Sequence, residues 1–146
     1  MKLQIFKEAG GRIPRKKLRE LFESIVEEEA EPGGGARVNL VITDNRNIRR
    51  LNRHYRRVDR ITDVLSFNID SEAEPDGTFG EVYISSAVAE RQAGENKIAF
   101  SEEIVRLFCH GLLHLFGYDH IRKADRRVMR TREENCLRQL YGGRQP

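Results

Sequence analysis

The stretch SEEIVRLFCHGLLHLFGYDH, residues 101–120, decides the architecture. Through Phe116 it reads as a helix that is apolar nearly all round, with Ile104, Val105, Leu107, Phe108, Leu112, Leu113 and Leu115. A helix with no polar face is buried on all sides, so the rest of the chain must pack around it. Ser101 is the expected cap of this helix, and Glu102 and Glu103 suit its positive N-terminus. Cys109 points about 100° away from His110 and belongs to the core. Three of the four histidines in the chain, His110, His114 and His120, lie toward the far end of the stretch.

His110 and His114 are i and i+4 on one helical face, with Cβ atoms about 5–6 Å apart. Both imidazoles can reach a zinc ion at about 2.0–2.1 Å. Were the helix to continue, His120 would sit roughly 240° around and about 9 Å along the axis. The helix must therefore end between His114 and His120. Gly117 can end it, because glycine adopts the left-handed C′ conformation without penalty and turns the chain back. Three neutral imidazoles with an open fourth position make a catalytic kind of zinc site. Nickel or another borderline divalent ion also fits. A ligated water in such a site has its pKa lowered toward about 7. Asp119 is placed either to orient a ligand imidazole or to serve as a turn cap or surface residue. The histidine spacing matches the zinc-protease pattern H-E-x-x-H-x-x-G-x-x-H, but Gly111 stands where a protease carries its glutamate base.

A length of 146 residues predicts one domain, 1–146, large enough for a real core. Strands are predicted at 3–8, 37–43, 62–69 and 81–85, from β-branched content and alternation. Helices are predicted at 14–30, from Asp44 onward, at 85–96, at 101–116 and at 123–140. Asp44 caps the second helix, with Ile48, Leu51 and Tyr55 facing inward. In the last helix Val128, Met129, Cys136, Leu137 and Leu140 supply the apolar positions. EPGGGA (31–36) and the region around Pro75-Asp76-Gly77 read as loops, and the terminal GGRQP as frayed. The strands on either side of the second loop suit an antiparallel pair. The expected fold is an α/β (α+β) single domain: a mixed, roughly four-stranded sheet packed with about five helices.

Apolar residues make up 38% and charged residues 34%, with no apolar run long enough to span a membrane. No secretory signal is recognisable, and two isolated cysteines fit reduced thiols in a cytoplasm. The net charge is only +3, but residues 44–60 carry seven arginines against two aspartates. Arginine suits bidentate phosphate contacts, and a basic patch is the footprint of a polyanion partner. Arg49, Arg50, Arg53, Arg57 and Arg60 are therefore candidate phosphate-positioning residues. Residues 121–132 are also basic, whereas residues 70–81 carry five acids and no base. Thr62, Asp63 and Ser66 are candidates for a cleft wall, although a strand-edge or turn role suits them equally. His54 reads as a surface helix residue.

HGLLHLFGYDH resembles the signature of the YbeY family, metal-dependent endoribonucleases of bacterial ribosomal RNA maturation. The family pattern is H-G-x-L-H-L-x-G-Y-D-H, and every fixed position matches. Upstream, NRHYRRVDRITDVLSF (52–67) resembles the family stretch ending Y-R-x-x-D-x-x-T-D-V-L-S-F, and GEVYIS (80–85) its G-D-I-x-I-S strand. Asn68 and Ile61 replace common prolines, Arg57 a common glycine and Glu81 a common aspartate. The resemblance implies a reduced metzincin-like zinc-hydrolase core, with His110, His114 and His120 as zinc ligands and Arg56 as the active-site arginine. It implies a single-strand-type endoribonuclease in 16S rRNA 3′-end maturation and ribosome quality control, in the cytoplasm. Ribosomal RNA is the expected partner, with small-subunit ribosomal proteins a further candidate and neither DNA nor membrane expected. The alternatives are a small metallopeptidase-like hydrolase and a non-catalytic zinc-containing ribosome assembly factor. For the last, the acidic segment 70–81 would face a basic ribosomal protein. Gly111 argues against peptide hydrolysis by the usual route. RNA needs less help, because its 2′-hydroxyl already sits beside the phosphodiester, or a metal-bound hydroxide can attack it directly.

Overall fold

The computed structural model describes residues 1–30, 36–69, 77–119 and 122–142. His120, most of the loops predicted at 31–36 and 71–80, and the last four residues lie outside the described residues. The elements run β1 (Lys2–Lys7), α1 (Arg15–Glu29), β2 (Arg37–Thr43), α2 (Asn45–Arg56), β3 (Val64–Asn68), β4 (Thr78–Ser85), α3 (Ser86–Asn96), α4 (Phe100–Leu115) and α5 (Lys123–Tyr141). This is a single α+β unit with one four-stranded mixed sheet in the order β1-β2-β4-β3. β1–β2 and β2–β4 pair parallel, and β3–β4 pair antiparallel.

Strand alternation sorts the side chains into two unequal layers. Val38, Leu40, Ile42, Val82 and Ile84 face the main core, which α1, α4 and α5 complete. Leu65 turns the other way and, with Ile48 and Leu51 of α2, forms a small second cluster. α4 is the buried helix its composition demands, with Ile104, Val105, Phe108, Leu112 and Leu113 fully enclosed. Arg132 of α5 clamps two α1 carboxylates, Glu28 at 2.7 Å and Glu29 at 3.2 Å.

Helix ends follow local chemistry. The Asp44 side chain accepts from Asn47 N–H at 2.8 Å and caps α2, as its position predicts. Ser85 does the same for α3 through Val88 N–H at 3.1 Å. Ser101 does not cap α4: the helix begins one residue earlier, at Phe100, with Ala99 at the cap position. At the other end Gly117 takes φ 98°, its N–H bonds His114 O at 3.0 Å, and Tyr118 N–H bonds Leu113 O at 3.1 Å. That pair of reverse bonds is a Schellman stop. The Tyr118 hydroxyl then donates to Glu29 at 2.8 Å, which pins the turn to α1.

Several boundaries and faces differ from expectation. β4 starts at Thr78, three residues early, because it stays paired to both β2 and β3. β3 starts only at Val64, since Asp63 spends its carboxylate on Val64 N–H at 2.8 Å and makes a turn there. Tyr55 is 62% exposed and Val128 59% exposed, so neither is core. The last turn of α2 overhangs the edge strand β3, where Tyr55 meets the Phe67 ring at 5.0 Å and the ring of its neighbour His54 at 4.6 Å. α5 touches the core through Met129, Cys136 and Leu137, and Val128 lies one residue off that narrow stripe.

α4 rests on the β3–β4 pair at Gly111. A Cβ at that position would meet Val82 Cγ1 at 2.7 Å, Ser66 Oγ at 2.9 Å and Val64 Cγ2 at 3.2 Å. Ser66 Oγ also donates to Gly111 O at 2.9 Å. Gly111→Ala should therefore destabilise the fold by about 1–3 kcal/mol through overpacking, despite the roughly 1 kcal/mol by which alanine favours a helix. A lower denaturant midpoint would show this, and an unchanged or higher one would contradict the close packing.

Candidate active site

The last two turns of α4 carry His110 and His114 out of the core onto a partly open surface. Their Nε2 atoms lie 3.1 Å apart. Two nitrogens each about 2.0–2.1 Å from one tetrahedral ion would be roughly 3.3 Å apart, so the pair already has the spacing of two ligands. On the far side of the ring, His110 Nδ1 lies 2.5 Å from Glu133 Oε1 of α5. The carboxylate can only accept, so Nδ1 carries the proton and the His110 Nε2 lone pair points toward His114. This imidazole–carboxylate couple orients the ring. Its donor set of imidazoles suits zinc and similar borderline ions. Among the described residues, no three His, Cys, Asp or Glu side chains form a cluster able to hold a metal. The third predicted ligand, His120, lies outside them.

Glu133 was not legible in the sequence. It stands 23 residues beyond His110, on a helix whose periodicity reports only its apolar stripe. The one available signal was the need of any ligand imidazole for an acceptor on its other nitrogen. Asp119, the residue close in sequence, is exposed and follows the turn after α4. The carboxylate that meets His110 comes from α5.

A cavity of about 350 Å³ opens beside the two imidazoles, lined by Arg56, Thr62, Asp63, Ser66, His110 and His114 among others. The sequence placed Thr62, Asp63 and Ser66 at a cleft wall or in a turn or strand edge, and they do line this cavity. Arg56, at the end of α2, reaches it by crossing the edge strand. Its guanidinium lies 5.7 Å from the Phe67 ring centre and its Nη2 donates weakly to Ser66 O at 3.4 Å. Asn68, also in the wall, donates from Nδ2 to Leu115 O at 3.0 Å. It satisfies one of the orphan carbonyls at the end of α4. A proline at position 68 could not make this bond, so the departure has a mechanical consequence.

The arginine stripe divides. Arg49, Arg53, Arg57 and Arg60 are exposed and do not line the cavity with Arg56. Arg49 is held by Asp59 through two bonds of 2.7 and 3.2 Å. Its side-chain hydrogen bond to Asp59 raises the arginine pKa and lowers that of the aspartate. Arg50 is bonded to Asn47. Arg57 takes φ 59° at the end of α2, a left-handed conformation that favours glycine. That explains why the resembling pattern commonly has glycine there. Cys109 is fully buried, as expected, and its neighbour is Cys136 of α5.

Comparison with known proteins gives this arrangement a family. Residues 4–141 match the profile of a family described as Endoribonuclease YbeY. A protein of that name from Desulforamulus reducens is 42% identical over 132 residues, which cover 84% of this chain and 86% of the relative. Another, from Heliobacterium modesticaldum, is 39% identical over 132 residues, 83% of this chain and 80% of its own. The solution structure of a Thermotoga maritima protein matches with a TM-score of 0.63 and 29% identity, covering 95% of this chain and 90% of that one. The class is thus a hydrolase of the endoribonuclease type. The chain belongs to the YbeY family of endoribonucleases.

Proposed function

We propose that this chain cuts single-stranded regions of ribosomal RNA at a site where His110, His114 and His120 hold one zinc ion and Arg56 holds the phosphate. The observation that carries the reading is the 3.1 Å approach of the His110 and His114 Nε2 atoms in the wall of a cavity that Arg56 also lines. Zinc, when bound, would supply Lewis-acid stabilisation for charge on the phosphoryl oxygens. Arg56 contributes a fixed cation with five donors, of which its weak bond to Ser66 O uses one. A cation–π contact with Phe67, 5.7 Å from the ring centre, favours this position of the guanidinium. Glu133 keeps the His110 ring aimed and in one tautomer.

The proton chemistry has to be light on protein help. Gly111 leaves no room for a protease-like glutamate, since even a Cβ would collide with Val82. A substrate whose nucleophile is built in, the RNA 2′-hydroxyl, suits such a site better than a peptide. Outside the cavity, Arg53, Arg57 and Arg60 would track the RNA backbone, with Arg49 partly neutralised by Asp59. The family resemblance supports a role in 16S rRNA 3′-end maturation and ribosome quality control in the cytoplasm. No helix among the described residues is long and apolar enough to cross a membrane.

Metal analysis of the purified protein, run beside cleavage of 3′-extended small-subunit rRNA, tests the reading. The wild type should carry one zinc per chain and cut, and His114→Ala should lose metal and cleavage together. Cleavage that survives in metal-free His114→Ala would sink the proposal, and bound metal without cleavage would favour the assembly-factor alternative. Glu133→Gln should weaken zinc by about 10–100-fold in a chelator competition while the fold persists. Unchanged affinity would remove Glu133 from the site.

A further inference from the structure

The last turn of α2 carries an aromatic ring that the core does not use. Tyr55 is 62% exposed, so its burial contributes little to the fold. The ring is nevertheless held by two neighbours. His54 meets it edge-on at 4.6 Å between ring centres, and Phe67 tilts toward it at 5.0 Å. Phe67 in turn meets Tyr83 of the adjoining strand at 6.1 Å. These spacings are those of attractive ring pairs, roughly 4.5–7 Å. Three rings therefore run in a row, from the half-buried Tyr83 and Phe67 out to Tyr55, which is largely open to solvent.

The row ends beside the candidate site. Phe67 also lies under the Arg56 guanidinium, and Arg56 lines the cavity with His110 and His114. Along β3, Phe67 packs on the α2 side of the sheet, whereas Ser66 bonds Gly111 of α4 on the other. Arg56 thus links the rings on one side of the sheet edge to the histidines on the other. The surroundings are basic: residues 53–60 carry four arginines against one aspartate, and Arg53, Arg57 and Arg60 are exposed. A protein partner seated on Tyr55 would have to desolvate these charges, whereas a polyanion is drawn to them. Rings set among cations suit a single nucleic-acid strand, whose backbone follows the charge while its bases stack.

We propose that Tyr55 is a stacking platform for an unpaired base of the RNA strand, beside the nucleotide whose phosphate Arg56 holds. This rests on the nuclease reading above and adds a base contact to it. Every base has a flat face, so the platform tolerates any sequence. A base inside a duplex has its faces covered by its neighbours, so the platform selects single strands. Because His54 and Phe67 already hold the ring, little freedom is lost when a base lands on it.

Anisotropy titrations with 2′-O-methyl oligoadenylates, which lack the built-in nucleophile, test the platform. The wild type should bind the single strand about 5–100-fold tighter than Tyr55→Ala does, and Tyr55→Phe should bind like the wild type. A strand of the same length and charge but with abasic sugars should bind the wild type and Tyr55→Ala equally, because nothing is left to stack. The chain has no tryptophan, so Tyr55→Trp places a single indole in the row. That variant should keep the affinity, and the oligoadenylate should quench its emission where the abasic strand does not. Equal affinity of the wild type and Tyr55→Ala for the oligoadenylate, or a loss just as large with the abasic strand, overturns the proposal. Self-association that Tyr55→Ala abolishes while RNA affinity stands would make the ring a protein contact and overturn it too. A base-dependent loss in Tyr55→Ala without rRNA cleavage by the wild type would uphold the platform and overturn the nuclease reading. Cleavage by a wild type that binds both strands alike would do the reverse.

Discussion

The contact on which the rest of the structure depends is the seat of α4 on β3 and β4. At Gly111 the helix backbone comes within a hydrogen bond of Ser66 and closer to Val82 than any side chain permits. This approach sets the height of the helix over the sheet. It also fixes where His110, one residue before, and His114, three residues after, emerge. The same sheet edge carries Thr62, Asp63, Ser66 and Asn68, so the cavity wall and the imidazoles share one foundation. Asn68 closes the far end of that contact by bonding Leu115 O.

That constraint also limits the chemistry. A histidine pair on a helix usually invites a base one residue after the first ligand. Here that residue is the point of closest packing, and glycine is the only side chain that fits. What the site offers instead is spread over four elements. α4 gives the imidazoles, α5 the carboxylate that orients one of them, α2 the guanidinium, and β3 the aromatic ring it lies over. A polyanionic substrate that brings its own nucleophile suits this distribution.

Local chemistry made much of this legible in the sequence. The all-round apolar surface of residues 104–115 placed α4 in the core, and Gly117 predicted the stop that the φ of 98° confirms. Asp44 and the 37–43 strand were equally readable, because a cap and a β-branched run act within a few residues. The misreadings share a cause. Tyr55 and Val128 sit at positions where helical periodicity suggests burial, but the partner surface ends before reaching them. Glu103 is the first-turn acid its position predicts, but its burial against α3 could not be read from its own helix. Glu133 belongs to the same class, since nothing within its own helix announces a contact with α4. Periodicity reports the face of an element and is silent on how far its neighbour extends.

The account stands or falls on where a metal binds. A crystal of the purified protein grown with zinc, measured at the zinc absorption edge, would locate the ion directly. The predicted result is one strong anomalous peak about 2.0–2.1 Å from the Nε2 atoms of His110 and His114 and from an imidazole nitrogen of His120, facing Arg56 across the cavity. A peak elsewhere, or an ordered histidine pair with no peak beside it, would contradict it.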